Sequence, residues 1–161
     1  IGGDSAGGNL AAVLALMGRD GAVPATMYQA LIYPVVDLTA TGDSYRRVTA
    51  GVPLTAATMH YFIDHYMPEA DKRSDWRASP LLAKSLAGTP PALVMTAEFD
   101  PLRDEGEAYA ERLRQAGVKV TRARFDSLPH GFVAFPSAAP AAEAAVQRIA
   151  RETAAALKGM A

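Results

Sequence analysis

The stretch Gly3-Asp4-Ser5-Ala6-Gly7, near the start of the chain, constrains the fold more than any other feature. It reads G-x-S-x-G, a pattern that places a serine at a sharp turn from a β-strand into an α-helix. Small residues are required two positions before and after the serine, because backbone segments approach each other there. The next segment, N-L-A-A-V-L-A-L-M, contains good helix formers. We therefore predict a helix over residues 6–18, with Ile1 as the last residue of the preceding strand.

The rest of the chain alternates between strand-like and helix-like segments. Such alternation indicates a parallel sheet covered by helices, which is an α/β fold. Between the first two predicted strands the chain makes a long excursion, and the first of these strands is expected to form the open edge of the sheet. The predicted segments are strands at 27–33, 92–97 and 118–125, helices at 103–116 and 139–158, and the excursion at 37–78.

A serine at such a turn becomes a nucleophile only with a base, and the chain has three histidines. His60 and His65 lie in a helix-like segment that Thr55 can cap, so we interpret them as helix-face residues. His130 stands in S-L-P-H-G-F, directly after the predicted strand at 118–125. Parallel sheets gather their chemistry at the carboxyl ends of strands, so His130 is the predicted base.

The carboxylate that orients this base should come from the loop after strand 92–97. Three of its acids, Asp104, Glu105 and Glu107, are explained as first-turn residues of the next helix, where they complement the helix dipole. Asp100 precedes Pro101, which keeps it out of helical geometry, so we favour Asp100 and interpret Glu98 as structural. The candidates in this loop are Glu98, Asp100, Asp104, Glu105 and Glu107.

The backbone around Ser5 predicts a site for negative charge. The helix after the serine directs its positive end there, and the N–H of Ala6 is the predicted oxyanion donor. A phosphate-binding loop is a poor alternative, because the glycines do not match G-x-G-x-x-G and no Gly-Lys-Ser/Thr is present. A plain glycine-rich loop is the remaining alternative for the pentapeptide taken alone.

Several longer segments together resemble the bacterial hormone-sensitive-lipase-like esterases: G-D-S-A-G-G-N-L-A, Y-P-V-V-D-L, P-P-A-L-V-M-T-A-E-F-D-P-L-R-D-E-G and L-P-H-G-F. The resemblance implies an α/β-hydrolase fold with Ser5 as nucleophile, Asp100 as orienting acid and His130 as base. It also implies a carboxylic ester hydrolase that needs no cofactor and acts on small-molecule esters with short acyl chains.

Members of that family carry a His-Gly-Gly-Gly stretch before the serine, and this chain does not contain one. The resemblance therefore implies that residues 1–161 are the C-terminal part of one α/β-hydrolase domain. The missing N-terminal half is the expected partner. Residues 1–161 alone are expected to be poorly soluble and nearly inactive, because part of the sheet and of the oxyanion hole is lacking.

The excursion at 37–78 carries a cluster of large apolar side chains, Tyr61, Phe62, Tyr66 and Met67. They form either the core of a surface subdomain or a lid over the serine. The resemblance favours a helical cap insertion at this point. The candidate residues of a substrate pocket are Asp4, Tyr61, Phe62 and Phe132.

Composition excludes several other classes of protein. The formal net charge is −1, which provides no basic field for nucleic acid. No run approaches the roughly 18 apolar residues of a membrane span. The chain has no cysteine, hence no disulfide or thiolate metal site, and its three histidines are too scattered to predict a zinc site. A cytoplasmic location is favoured, and the oligomeric state is left open.

Three other functions are compatible with the residues. A serine peptidase of the same fold would use the same three side chains. A hydrolase-fold binding protein without catalysis is a second alternative, although such proteins typically lose the serine or the histidine, and both are present. A purely structural fragment is the third.

Overall fold

The computed structural model describes residues 1–159, which form a four-stranded parallel sheet with helices on both faces. The predicted α/β fold and parallel sheet are confirmed, with element ends shifted by a few residues. The strands are hydrogen-bonded in the order β1 (Gly2–Asp4), β2 (Gln29–Ile32), β3 (Ala92–Phe99) and β4 (Val120–Pro129). The helices are α1 (Ala6–Arg19), α2 (Asp43–Arg47), α3 (Ala56–Tyr66), α4 (Arg103–Gln115) and α5 (Pro140–Lys158). Short 3₁₀ turns lie at Ala70–Lys72, Pro80–Leu82, Phe132–Ala134 and Pro136–Ala138.

The two central strands are apolar on both faces, as a parallel sheet covered by helices requires. Leu31 and Val94, paired in register, pack on one side with residues of α1 and α4. Their neighbours Ile32 and Met95, also paired, pack on the opposite side with residues of α5. This alternation fixes the register, because a one-residue slip would exchange the two faces.

The expectation that residues 27–33 form the open edge is wrong. β2 pairs with β3 on one side and with β1 on the other, where Gly2 lies opposite Ala30 and Asp4 opposite Ile32. The strand before Ser5 is also not reduced to Ile1, because three residues after it are in strand conformation. The three residues of β1 are enough to pair with this side of β2, because a parallel neighbour provides hydrogen-bond partners for the backbone that it faces. The edges of the described sheet are thus β1 and β4.

The excursion contains α2 and α3 and has an apolar cluster of its own. Leu38, Leu54, Met59 and Ile63 pack there with Leu102, which belongs to the segment leading into α4. Thr55 caps α3 by accepting a hydrogen bond from the Thr58 N–H at 3.2 Å, as predicted. The excursion is therefore a small packed layer that is attached to the sheet domain at the carboxyl end of β3.

No helix of residues 1–159 combines the length and the apolar character needed to cross a bilayer.

Candidate active site

Ser5 occupies a strained turn between β1 and α1. Its φ of 52° and ψ of −119° lie where few residues other than glycine are found. The turn depends on two glycines: a Cβ on Gly3 would lie 2.3 Å from the Gly7 backbone, and a Cβ on Gly8 would lie 2.8 Å from Pro34. A Cβ on Gly7 would meet open space, so the crowded position after the serine is Gly8 and not Gly7 as the pattern indicated.

The start of α1 presents backbone donors beside Ser5. The first hydrogen bond of the helix runs from the Asn9 N–H to the Ser5 carbonyl at 3.1 Å. The N–H groups of Ala6, Gly7 and Gly8 therefore have no acceptor within the helix. Together with the helix dipole they make this end of α1 favourable for negative charge.

Asp100 follows β3 directly and is fully buried. Its Oδ1 accepts a hydrogen bond from the Leu102 N–H at 2.8 Å, and its Oδ2 lies 2.7 Å from His130 Nδ1. The intervening Pro101 keeps this segment out of the helix, which starts at Arg103. The carboxylate is thus held from two directions and aimed at the imidazole.

His130 follows β4 directly, and its side chain is 12% exposed. Its Nε2 lies 3.0 Å from Ser5 Oγ. When Nδ1 donates to Asp100, the lone pair of Nε2 faces the serine hydroxyl and can accept its proton. The structure therefore brings together the three side chains that the sequence singled out, in a continuous hydrogen-bonded chain.

The other two histidines lie on α3, as interpreted from the sequence. His60 packs against Tyr45, with 5.7 Å between ring centroids. Nδ1 of His65 lies 2.8 Å from the carbonyl oxygen of Tyr61 one turn earlier. Both contacts are local to the excursion.

Two other candidate acids, one at the end of β3 and one in the first turn of α4, have structural contacts. Glu98 forms an ion pair with Arg103 at 2.6 Å, in agreement with its predicted structural role. Glu105 is in the first turn of α4 but is not merely a dipole partner. It is buried, and its Oε1 accepts hydrogen bonds from the N–H groups of Val36 (2.7 Å) and Asp37 (3.2 Å). Burial raises the pKa of Glu105 well above its ordinary value.

An apolar cleft of about 280 Å³ opens at Ser5. One wall comes from α1, a second from the segment after β2, and a third from α3 of the excursion. Ser5, Asn9 and the Tyr66 hydroxyl are the polar side-chain groups among its lining residues, and the remaining side chains are apolar, so the cleft is suited to a hydrocarbon group next to the serine. The lining residues are Ser5, Ala6, Asn9, Leu10, Val35, Leu38, Met59, Phe62, Ile63 and Tyr66.

Of the four predicted pocket residues, only Phe62 lines this cleft. Tyr61 is 58% exposed and packs on Phe62 and His65 outside it. Phe132 was expected to line the pocket because it follows His130, but it is 3% exposed and lies in the core under the sheet. Asp4 accepts a hydrogen bond from the Tyr33 hydroxyl at 3.3 Å and is not a cleft residue either.

Sequence reasoning missed Leu10, Met59, Ile63 and Tyr33 as residues of this region. The helical spacing of Met59, Phe62, Ile63 and Tyr66 places them on one face of α3 and was the available signal. Tyr33 comes directly after β2, the strand end where chemistry gathers in a parallel sheet.

Within residues 1–159, no group of three or more His, Asp or Glu side chains is arranged to hold a metal ion.

Comparison with known protein families finds a match that includes Ser5, Asp100 and His130. Residues 1–134 match a family of the α/β-hydrolase fold. The carboxylic ester hydrolase LipN of Mycobacterium tuberculosis is 46% identical over 138 residues, which are 83% of this chain and 37% of that protein. The ethyl acetate hydrolase of Pseudomonas putida is 40% identical over 132 residues, which are 81% of this chain and 42% of that protein.

Solved esterase structures resemble the fold closely. A thermostable carboxylesterase cloned from a metagenomic library superposes with a TM-score of 0.91 at 41% identity, covering 97% of this chain and 54% of that one. A thermostable esterase from Pseudomonas putida gives a TM-score of 0.88 at 45% identity, covering 92% of this chain and 48% of that one. The chain thus spans about half, or less, of the length of these relatives.

Proposed function

Because this chain belongs to the α/β-hydrolase-fold family and resembles its hormone-sensitive-lipase-like esterases, we propose that the protein is a serine carboxylesterase. The observation that carries the proposal is the contact chain from Ser5 Oγ through His130 to Asp100, at 3.0 Å and 2.7 Å. A strained serine, a base in contact with it and a buried carboxylate behind the base are the parts that acyl transfer needs.

In the proposed reaction, Ser5 Oγ attacks the ester carbonyl carbon while His130 Nε2 takes the hydroxyl proton. The carbonyl oxygen becomes an oxyanion beside the Ala6 N–H at the start of α1. Asp100 accepts from Nδ1–H and stabilises the imidazolium. The imidazolium then protonates the leaving alcohol, and an acyl group remains on Ser5. Water, deprotonated by His130, attacks this acyl group; the bond to Ser5 Oγ then breaks, the imidazolium returns the proton to Oγ, and the acid is released.

The Ala6 N–H is proposed as one oxyanion donor. A single donor of this kind contributes roughly 10²–10³ in kcat when it is aimed at the developing charge. The full oxyanion hole of the family uses further backbone N–H groups from a glycine-rich stretch before the serine, and residues 1–161 contain no such stretch. In the complete protein, the N-terminal half is therefore the proposed source of the remaining donors.

The substrate is proposed to be an ester with a short apolar acyl group. The cleft next to Ser5 is apolar, and its volume of about 280 Å³ is near the lower end of ligand pockets, roughly 300–1,000 Å³. The ethyl acetate hydrolase among the relatives acts on a small ester by its name. We also propose that residues 37–78 act as a cap, since Phe62 and Tyr66 line this cleft from α3.

The test uses the full-length protein and nitrophenyl esters with acyl chains of increasing length. We expect hydrolysis to be fastest with short chains, and a fluorophosphonate probe to label Ser5. The matched Ser5→Ala variant should show neither hydrolysis nor labelling. Cleavage of a peptide nitroanilide with a kcat/KM comparable to that on the corresponding ester would indicate a peptidase and contradict the proposal, as would a wild-type protein that neither turns over nor is labelled.

A further inference from the structure

Tyr33 lies directly behind the imidazole of His130. Its side chain is 1% exposed, and its ring centroid is 4.4 Å from that of His130, with an angle of 52° between the planes. Phe132 packs edge-on against the same tyrosine ring, with 5.0 Å between centroids and an interplanar angle of 85°. The imidazole is thus in contact with a ring that is itself enclosed by the core.

The hydroxyl of Tyr33 connects this ring to the nucleophile turn. It donates a hydrogen bond to Asp4 Oδ2 at 3.3 Å, and Asp4 is the residue immediately before Ser5. Burial raises the pKa of the Tyr33 phenol, and the Asp4 carboxylate raises it further. The hydroxyl therefore keeps its proton and remains a donor throughout the neutral pH range.

The backbone at Tyr33 is held in an unusual conformation that gives the ring this position. Its φ is +35°, where residues with a side chain are rare. The Tyr33 N–H donates to the Met95 carbonyl at 2.7 Å, and two residues later the Val35 N–H donates to the Ser5 carbonyl at 3.2 Å. Strain of this kind persists only where the surroundings enforce it, and it often marks a functional site.

The Asp100 contact alone does not orient the His130 ring. One hydrogen bond at Nδ1 fixes the position of a single atom, whereas the χ2 torsion of histidine is broad and lets the ring plane tilt. Proton transfer needs Nδ1 to face Asp100 while Nε2 faces Ser5. The contacts of Nδ1 with Asp100 and of Nε2 with Ser5 leave the ring plane free to rock about the line between the two nitrogens, and the contact of Tyr33 with the face of the ring limits that motion.

We propose that Tyr33 is a positioning residue for His130, and that its hydrogen bond to Asp4 sets the tilt of the tyrosine ring on which the imidazole rests. The Asp4 carboxylate thereby influences the orientation of His130 through Tyr33, without contacting the substrate. The proposal rests on the proposed function in so far as His130 is the base. It assigns a reason for an aspartate directly before the nucleophile.

The first test is steady-state kinetics of the full-length protein on a short-chain nitrophenyl ester. Tyr33→Phe keeps the ring and removes only the hydroxyl, and we expect kcat to fall about tenfold with KM unchanged, since the cleft is intact. Asp4→Ala should have the same effect, and the double variant should lose no more than either single one. Asp4→Asn keeps an acceptor oxygen and should recover most of what Asp4→Ala loses.

Tyr109→Phe is the matched control. Tyr109 is also fully buried, but it belongs to α4 and packs with residues of α1 on the opposite face of the sheet, and its hydroxyl has no partner within the described residues. We expect its kcat to equal that of the wild type. Equal kcat in Tyr33→Phe and wild type, or additive losses in the Tyr33→Phe/Asp4→Ala double variant, would overturn the proposal while leaving esterase activity intact.

A second measurement does not require turnover. Proton NMR of the wild-type protein should show a sharp low-field signal from the Nδ1–H of His130 that is bonded to Asp100. In Tyr33→Phe, with an unchanged melting temperature, this signal should broaden because the ring samples more than one tilt. An identical signal in both proteins would refute the positioning role, whether or not the protein proves to be an esterase.

Discussion

Two regions meet at the cleft, the loops that carry Ser5, Asp100 and His130 and the excursion at 37–78, and they are held in different ways. Asp100 is fully buried, with a hydrogen-bond neighbour at each carboxylate oxygen. On the excursion, Phe62 remains 51% and Tyr66 59% exposed, although both line the cleft. Chemistry needs atoms fixed at hydrogen-bond distances, whereas an apolar wall only needs to cover its ligand. Changes in the first region should therefore alter the rate on every substrate, and changes in the second should alter which substrate is preferred.

The exposed tip of the excursion does not mean that the whole excursion is loosely attached. The side-chain amide of Asn9 donates to the carbonyl of Val35, before the excursion, and to that of Ala78, at its end, each at 2.9 Å. Both ends are thus fastened to α1 by one buried side chain. The contrast between the two regions lies in the tip of the excursion and not in its base.

The largest effect is expected from the nucleophile and the base. Ser5→Ala or His130→Ala should lower kcat by about 10⁴–10⁶ on every ester, because either change removes the proton-transfer pair. The measurement is nitrophenyl ester hydrolysis by the full-length protein. His60→Ala, which changes a histidine of the excursion, is the control and should retain most activity. Loss of activity in His60→Ala with retention in His130→Ala would reverse the assignment of the base.

Asp100→Asn should have the next largest effect, a loss of roughly 10⁴ in kcat. The amide has nearly the shape of the carboxylate, but it can donate to Nδ1 and thereby favour the wrong imidazole tautomer. Glu98→Gln, near the end of β3, is the matched control, since its partners are Arg103 and Arg124 and not His130. The measurement is again kcat in the nitrophenyl ester assay. Equal losses of kcat in both variants would mean that the loss comes from a general disturbance of this segment and not from the contact between Asp100 and His130.

A smaller and selective effect is expected from the excursion. Phe62→Ala should lower kcat/KM on longer acyl chains by about tenfold, in line with the roughly 10–200-fold that a methylene contact in an apolar pocket contributes. The acetate ester, which has the smallest acyl group of the series, should be little affected. Tyr61→Ala removes the adjacent exposed aromatic outside the cleft and should not change chain-length preference. A uniform loss in Phe62→Ala that follows a lower melting temperature would instead indicate packing within the excursion.

The smallest effect concerns Glu105 at the base of the excursion and appears in stability. Its folded-state pKa is raised above the ordinary value of 4.5 by burial. Native protein therefore binds more protons than unfolded protein, and the contribution of Glu105 to the free energy of unfolding is present below pH 4.5 and is lost as pH rises through the folded pKa. Glu105→Gln keeps an acceptor for Val36 and Asp37 but does not titrate, so its melting temperature should decline less than that of wild type over this rise in pH.

Glu143→Gln, which changes an exposed glutamate of α5, is the control for this pH dependence and should follow the wild-type curve. Melting temperatures of the three full-length proteins, measured from pH 4.5 upward in equal salt, provide the comparison. Parallel curves for wild type and Glu105→Gln would mean that Glu105 is ionised in the folded protein, so that burial does not govern its protonation.

Local sequence signals were sufficient for the parallel sheet, for the ends of most elements to within a few residues, and for the choice of Ser5, Asp100 and His130. These features depend on short-range chemistry: glycines at a tight turn, a proline after an aspartate, and polar residues directly after apolar strands. The catalytic roles of the three side chains stay predictions until they are measured. The parallel arrangement explains why residues so far apart in the chain could be grouped, since strand ends in such a sheet meet at one edge.

By itself the sequence determined the fold class and the order of the reactive residues, because the alternation of strands with helices and the residue preferences of turns depend on residues that are adjacent in the sequence. Only the tertiary structure decided that β2 is a central strand, that Phe132 is core and Phe62 is cleft, and that Asp4 bonds to Tyr33 and does not reach the substrate pocket. Each of these outcomes depends on contacts between segments far apart in the chain. The periodicity of apolar residues cannot reveal these contacts, because it indicates on which face of a helix or strand a residue lies but not which other segment packs against that face.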